Sequence, residues 1–136
     1  MLRVAICLAS AANCGKTTSL KKLGRLLTGE ECTEDEIKKI FNYRGVKVGI
    51  SSSGDAPECL KPGFDEIIAA ECEILVCACR TKGAAADYAF TTARNMGYKI
   101  IWMGAARDCS NSLQEICNSQ VANAIKGMID DIIDNR

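Results

Sequence analysis

Short apolar runs of strand length alternate with amphipathic segments along this chain of 136 residues. The apolar runs cover residues 4–8, 46–50, 74–79 and 98–103. The third of these runs contains no polar position, which is typical of a strand buried on both faces of a parallel sheet. Apolar residues recur at helical spacing in the segments that begin at Lys16, Pro62, Ala84 and Ser110. Strands that alternate with helices predict an α/β fold, here a three-layer α/β/α domain with a mostly parallel sheet of four to five strands.

The segment between the first helix and the second apolar run allows two interpretations. Residues 30–36 carry five acidic side chains and are predicted to form a solvated surface segment. Thr33 and Glu36 have the spacing of a capping box, which would begin a short helix. Residues 37–43 also fit a strand, and the Arg-Gly pair that follows is suited to a tight turn into the next strand. We favour the second interpretation, an antiparallel hairpin.

Charge and hydropathy argue against two classes of partner. The chain has 17 Lys and Arg against 17 Asp and Glu, a net charge of zero, and its basic residues are dispersed. This pattern gives no indication of a nucleic-acid partner. No apolar run approaches the length of a membrane span, and Lys16 stands where the cleavage site of an early signal peptide would require small residues. We therefore expect one cytoplasmic domain over residues 1–136, without a membrane partner.

The cysteine and histidine content limits the chemistry. The nine cysteines are an odd number without C-x-x-C spacing, which argues against a disulfide framework and against a zinc site. The chain contains no histidine, so imidazole is excluded as a general base, as an activator of a nucleophile and as a metal ligand. Phosphoryl transfer remains open, because it relies on positioning, on cationic side chains and on Mg²⁺.

Residues 10–18 read Ser-Ala-Ala-Asn-Cys-Gly-Lys-Thr-Thr, between the first strand and the first helix. At such a junction the first backbone N–H groups of the helix are unpaired, and the helix dipole adds roughly half a positive charge. Gly15 lacks a Cβ and lets the main chain approach phosphate oxygens closely. Lys16 is predicted to reach the β- and γ-phosphates, and the Thr17 hydroxyl is predicted to bind Mg²⁺.

This stretch resembles the Walker A motif of the P-loop nucleoside triphosphate hydrolases, with Ser10 in place of the first glycine. The resemblance covers residues 4–27. It implies a P-loop NTPase-like domain that binds ATP with Mg²⁺ as cofactor, and the absence of an Asn-Lys-x-Asp motif favours ATP over GTP. It also implies that Arg107, after the last parallel strand, stacks on adenine. The implied phosphate-binding residues are Ser10, Ala11, Ala12, Asn13, Cys14, Gly15, Lys16, Thr17 and Thr18.

Two further loops follow strands and are expected at the ligand-binding edge of the sheet. Asp55 ends the loop after the strand at 46–50, and we predict it to be the carboxylate that holds Mg²⁺ together with Thr17. A plain flexible turn explains that loop equally well. Arg80 follows the strand at 74–79 and is predicted to stabilise charge on the γ-phosphate. A basic loop that balances nearby acids is the alternative.

Three functional hypotheses follow, with Lys16, Asp55 and Arg80 as the predicted catalytic residues. The first is a Mg²⁺-dependent ATP-binding protein that acts as a slow ATPase or a nucleotide-gated switch. The second is a small-molecule or nucleotide kinase, although the short chain leaves little room for the lid that such an enzyme needs. The third is a non-catalytic interaction module.

The C-terminal helix has an apolar stripe that is predicted to pack on the sheet, or to pair in part with a second subunit as a homo-oligomer.

Overall fold

Five strands and four helices alternate along the chain, in a computed structural model that describes residues 2–10, 15–54, 57–80, 83–105 and 111–136. The strands are β1 (Val4–Ala9), β2 (Lys38–Tyr43), β3 (Val46–Ser51), β4 (Ile74–Cys79) and β5 (Lys99–Gly104). The helices are α1 (Lys16–Thr28), α2 (Pro57–Ala69), α3 (Ala84–Asn95) and α4 (Asn111–Asp134). The α/β class predicted from the sequence is confirmed.

All five strands form one sheet in the order β2-β3-β4-β1-β5. Strands β3, β4, β1 and β5 are parallel, and β2 pairs antiparallel with β3. The predicted hairpin is confirmed: Arg44 and Gly45 have φ angles of 52° and 80°, as a two-residue turn between twisted strands requires. The capping-box interpretation is wrong, because residues 30–37 contain no helix.

Helices cover both faces of the sheet. Leu20 and Leu23 of α1 and Ile125 of α4 are buried together with Ile6 of β1 on one face. The helices α2 and α3 bury the other face, where Phe64 of α2 packs in the same cluster as the β1 and β4 thiols. These layers are consistent with the predicted three-layer α/β/α architecture.

The start of α2 differs from the prediction. The Pro62-Gly63 pair was expected to open this helix, but α2 begins at Pro57 and Pro62 lies inside it. Leu60, in the first turn, is completely buried. The contacts of this leucine with the core favour the earlier start, and they outweigh the single backbone hydrogen bond that a proline inside a helix removes.

The apolar stripe of α4 packs on the sheet, as the sequence predicts. Val121, Ala122, Ile125, Ile129 and Ile133 of this helix are buried in the same cluster as α1. No helix within the described ranges has both the length and the apolar composition that crossing a bilayer requires.

An ionic network ties the hairpin turn to the C-terminal half of α4. The Tyr43 hydroxyl donates to Asp130 Oδ1 at 2.6 Å, and Lys126 Nζ donates to Asp130 Oδ2 at 2.8 Å. Arg44 donates to Asp130 at 3.3 Å and also bonds Asp134. Hydrogen bonds from Lys126 and Tyr43 hold the pKa of the Asp130 carboxyl below its usual range. The network therefore favours the folded chain when Asp130 is ionised.

Replacing Asp130 tests this network. We expect Asp130→Asn to lower the free energy of unfolding by about 1 kcal/mol at neutral pH, since the partners are partly exposed. A group with a depressed pKa contributes stability that is lost as the pH falls through that pKa. The difference between wild type and variant should thus shrink on acidification below about pH 4. Urea unfolding at several pH values measures this difference in the free energy of unfolding. Asp131→Asn is the matched control, and an equal loss in both variants would contradict the assignment.

Candidate functional site

The carboxyl ends of β1 and β4 form the point where the helical connections of the sheet diverge. These two strands are neighbours, with Ala9 in register with Cys79. The helix after β1 packs on one face of the sheet, and the helix after β4 packs on the other. In parallel α/β sheets, ligands bind in the crevice outside such a pair of strand ends. We call this place the β1/β4 crevice.

Lys16, the first residue of α1, carries its ammonium group into the β1/β4 crevice. Its Nζ donates to the carbonyl oxygen of Ser10 at 3.1 Å and to that of Cys79 at 2.9 Å. Only 7% of this residue is exposed. A buried ammonium is costly unless hydrogen bonds compensate its desolvation, and here the backbone that ends both strands provides acceptors. A positive charge is thus held at the ligand-binding edge of the sheet.

Gly15 precedes α1 in a conformation that requires glycine. Its φ of 75° lies in the left-handed region, which residues with a Cβ rarely adopt. A Cβ at this position would lie 2.2 Å from Asn118 Oδ1 and 2.8 Å from Gln114 Nε2. The start of α4 therefore presses directly against the end of the phosphate loop predicted from the sequence.

Two amide side chains of α4 support this contact. Gln114 Nε2 donates to Asn118 Oδ1 at 2.8 Å, and Asn118 is buried. The Ser19 hydroxyl donates to the Gly15 carbonyl at 2.8 Å and lies 3.3 Å from Asn118 Oδ1. Sequence reasoning missed this group. A polar residue at the helical spacing of Val121 and Ile125 was the signal that could have found Asn118.

Glu36 meets the Thr17 hydroxyl from the acidic segment that precedes β2. Thr17 Oγ1 donates to Glu36 Oε2 at 3.0 Å, and the Ser52 hydroxyl contacts the same oxygen. Ser52 also fixes Ile37, because Ile37 N donates to Ser52 Oγ at 2.8 Å and Ser52 N donates to Ile37 O at 2.9 Å. The sequence pattern suggests only a surface position or a cap for Glu36, and it does not indicate the contact with Thr17.

The loop after β3 lies against the end of β4. A Cβ at Gly54 would stand 1.5 Å from the carbonyl oxygen of Ala78, so only a glycine allows this approach. Ser51 and Ser52 are buried next to it. The loop therefore packs against the last residues of β4, whose Cys79 carbonyl accepts a hydrogen bond from Lys16.

The structure brings several of the predicted site residues together. Lys16 contacts the Ser10 carbonyl in the β1/β4 crevice, and Gly15 and Thr17 flank Lys16 in the chain. Thr18 lies in the first turn of α1 and is exposed. Arg80 directly follows β4 and is also exposed. The remaining predicted residues lie outside the described residues; they are Ala11, Ala12, Asn13, Cys14, Asp55 and Arg107.

The buried thiols belong to the core behind the crevice. Cys7 and Cys77 are cross-strand neighbours with sulfur atoms 3.4 Å apart, and both are completely buried. The hydrogen bond to Cys7 and burial raise the pKa of Cys77, and burial raises the pKa of Cys79 to about 12. The Cys77 and Cys79 thiols are therefore neutral near pH 7, and the buried thiols pack as small apolar groups.

No protein-family model matches this chain, and no curated protein has a significantly similar sequence. The candidate chemistry rests on the buried ammonium of Lys16 in the β1/β4 crevice and on the Glu36 carboxylate that accepts from the Thr17 hydroxyl.

The close contact of Gly54 with β4 predicts a specific cost for adding one methyl group. We expect Gly54→Ala to lower the free energy of unfolding by about 1–3 kcal/mol, because either the loop or the end of β4 has to move. Gly127→Ala is the matched control. No neighbouring atom lies within 4 Å of a Cβ at Gly127, and alanine is favoured by roughly 0.5–1 kcal/mol inside a helix. Thermal unfolding of both variants measures the difference; a stabilised Gly54→Ala variant would contradict the packing.

Proposed function

We propose that this chain binds Mg-ATP with its triphosphate at the start of α1, and that it acts as a slow ATPase or nucleotide-gated switch. The observation that carries the proposal is the position of the Lys16 ammonium. It is buried in the β1/β4 crevice, where ligands of parallel α/β sheets bind.

A polyphosphate fits this site better than a neutral ligand for electrostatic reasons. The first N–H groups of α1 have no partner within the helix, and the helix dipole adds positive charge at the same end. Lys16 donates to the backbone carbonyls at the ends of both strands, in a partly desolvated place. A phosphate oxygen there would be attracted to the ammonium more strongly than in water.

The residues around Lys16 would hold the ligand in a fixed geometry. Gly15 precedes α1 in a left-handed conformation, and the Asn118 amide packs closely against it. Ser19 ties the Gly15 carbonyl to the first turn of the helix. The described residues at the start of α1 are thus held in place before a ligand binds, which lowers the entropic cost of binding.

Magnesium fits the donors that this end of α1 offers. The Thr17 hydroxyl is an oxygen ligand of the kind that Mg²⁺ prefers, and it belongs to the residue after Lys16. When bound, the ion would neutralise part of the charge of the triphosphate. Thr17 would hold and orient it at the start of the helix.

The loop after β3 supports the switch interpretation. Gly54 brings this loop onto the end of β4, next to the carbonyl that binds Lys16. A terminal phosphate bound at Lys16 would therefore lie beside a loop whose position depends on very close packing. Loops that are ordered by a terminal phosphate and released on hydrolysis are a known form of nucleotide switch.

Removal of the ammonium tests the binding site. Saturating Mg-ATP should raise the melting temperature of the wild type, by the equivalent of about 2.7 kcal/mol at a hundredfold excess over Kd. Lys16→Met keeps an unbranched apolar chain but removes the charge, and we expect it to abolish the shift. Lys22→Met, in the same helix, is the control and should keep it. Equal shifts in wild type and Lys16→Met, or no shift in the wild type, would reject the proposal.

Phosphate release separates the ATPase from the other hypotheses. We expect slow release of phosphate from Mg-ATP without any added acceptor, because water is the phosphoryl acceptor unless a site excludes it. A coupled assay for inorganic phosphate measures this rate, with Lys16→Met as the background. Release only after a hydroxyl compound is added would make the protein a kinase, and binding without turnover would make it a non-catalytic module.

A further inference from the structure

We propose that Glu36 is a carboxylate of the Mg²⁺ site and acts together with Thr17. This inference rests on the proposed binding of Mg-ATP and adds to it a residue that does not belong to the phosphate loop. The contact that carries it is the hydrogen bond from Thr17 Oγ1 to Glu36 Oε2, at 3.0 Å.

The direction of this hydrogen bond suits metal binding. The Thr17 hydroxyl gives its hydrogen to Glu36, and its oxygen lone pairs stay available for a cation. A hydroxyl that binds a metal needs an acceptor for its hydrogen, and a carboxylate in that place also orients it. Glu36 thus holds Thr17 in the state in which it can bind Mg²⁺.

The partners of Glu36 differ from those of two other acids in the same segment. Glu30 pairs with Lys39 and Glu31 pairs with Arg25. Within the described part of the chain, Glu36 has no basic partner, and hydroxyl groups supply its hydrogen bonds. Its other oxygen, Oε1, has no hydrogen bond or ion pair there. A divalent cation, or a water molecule bound to it, would supply the missing positive partner.

Glu36 is also held in place from a second direction. Ser52, which follows β3, contacts the Glu36 carboxylate and exchanges hydrogen bonds with the backbone of Ile37. This anchoring keeps the carboxylate beside the first turn of α1 at little entropic cost on binding.

The same contact couples the ion to the loop after β3. Ser52 lies two residues before Gly54, which packs against the end of β4. Residues 52–54 form a short stretch of this loop. An ion held by Thr17 and Glu36 would act on the stretch at Ser52 through the Glu36 carboxylate. It would act at Gly54 through the bound nucleotide. Magnesium, rather than the nucleotide alone, would order this loop.

The experiment measures how much Mg²⁺ tightens ATP binding. ATP affinity is determined by calorimetry with excess Mg²⁺ and with EDTA, for wild type, Glu36→Gln and the control Glu34→Gln. The glutamine still accepts hydrogen bonds from both hydroxyls, so a purely structural role of Glu36 would leave the effect of Mg²⁺ unchanged. We expect the gain in affinity from Mg²⁺ to fall by about 10- to 100-fold in Glu36→Gln and to stay at the wild-type level in Glu34→Gln.

The ATP affinity measured in EDTA is a second, independent test of the role of Glu36. Without metal, removing a negative charge near the triphosphate should leave ATP binding unchanged or tighten it, and metal-free ATP should not bind more weakly to Glu36→Gln than to wild type. Mn²⁺ titrations followed by electron paramagnetic resonance, in the presence of ATP, should show weaker Mn²⁺ binding by the variant.

A combination of the Glu36 and Thr17 substitutions tests whether both residues act on the same ion. In a double-mutant cycle, Thr17→Val and Glu36→Gln should each lose the gain from Mg²⁺, and the double variant should lose little more. If Glu36→Gln does not fold, Glu36→Asp replaces it, with a smaller loss expected. A wild-type gain from Mg²⁺ in Glu36→Gln would overturn this inference alone. Absence of ATP binding by the wild type, with or without Mg²⁺, would instead overturn the proposed function.

Discussion

The buried ammonium of Lys16 is the interaction on which the arrangement of this site depends. It joins the carbonyl that follows β1 to the carbonyl that ends β4, and it does so from the first residue of α1. The charge can stay out of water only while these strand ends and the helix keep their relative positions. The same requirement that stabilises this edge of the sheet therefore also fixes the geometry of the proposed phosphate site.

The fold follows largely from local pattern, and its exceptions have local causes. An apolar run without a polar position marks β4, and the turn residues Arg44 and Gly45 mark the hairpin. These features act over a few residues, so the sequence alone predicts them. The start of α2 was missed because Leu60 is buried by contacts with distant elements, and such contacts leave no trace in the local Pro-Gly pattern.

The candidate site likewise has one part that the sequence predicts and another part that it does not. Gly15, Lys16 and Thr17 are consecutive, and their chemistry can be predicted from the motif that they form. Glu36 and Asn118 reach the site through contacts that span 19 residues to Thr17 and 99 residues to Ser19, respectively. Their roles depend on which elements become neighbours, and a single sequence contains no direct record of that. The carboxylate and the amide that support the motif therefore emerge only from the three-dimensional arrangement.

The position of β1 in the sheet has a consequence for folding of the chain during its synthesis on the ribosome. Although β1 is made first, both strands that flank it come from the second half of the chain. A nascent chain that carries the complete phosphate loop motif still lacks the partner strand whose carbonyl binds Lys16. The contact between Lys16 and the end of β4 therefore forms late in synthesis, after β4 has emerged, and chains truncated before β4 cannot make it.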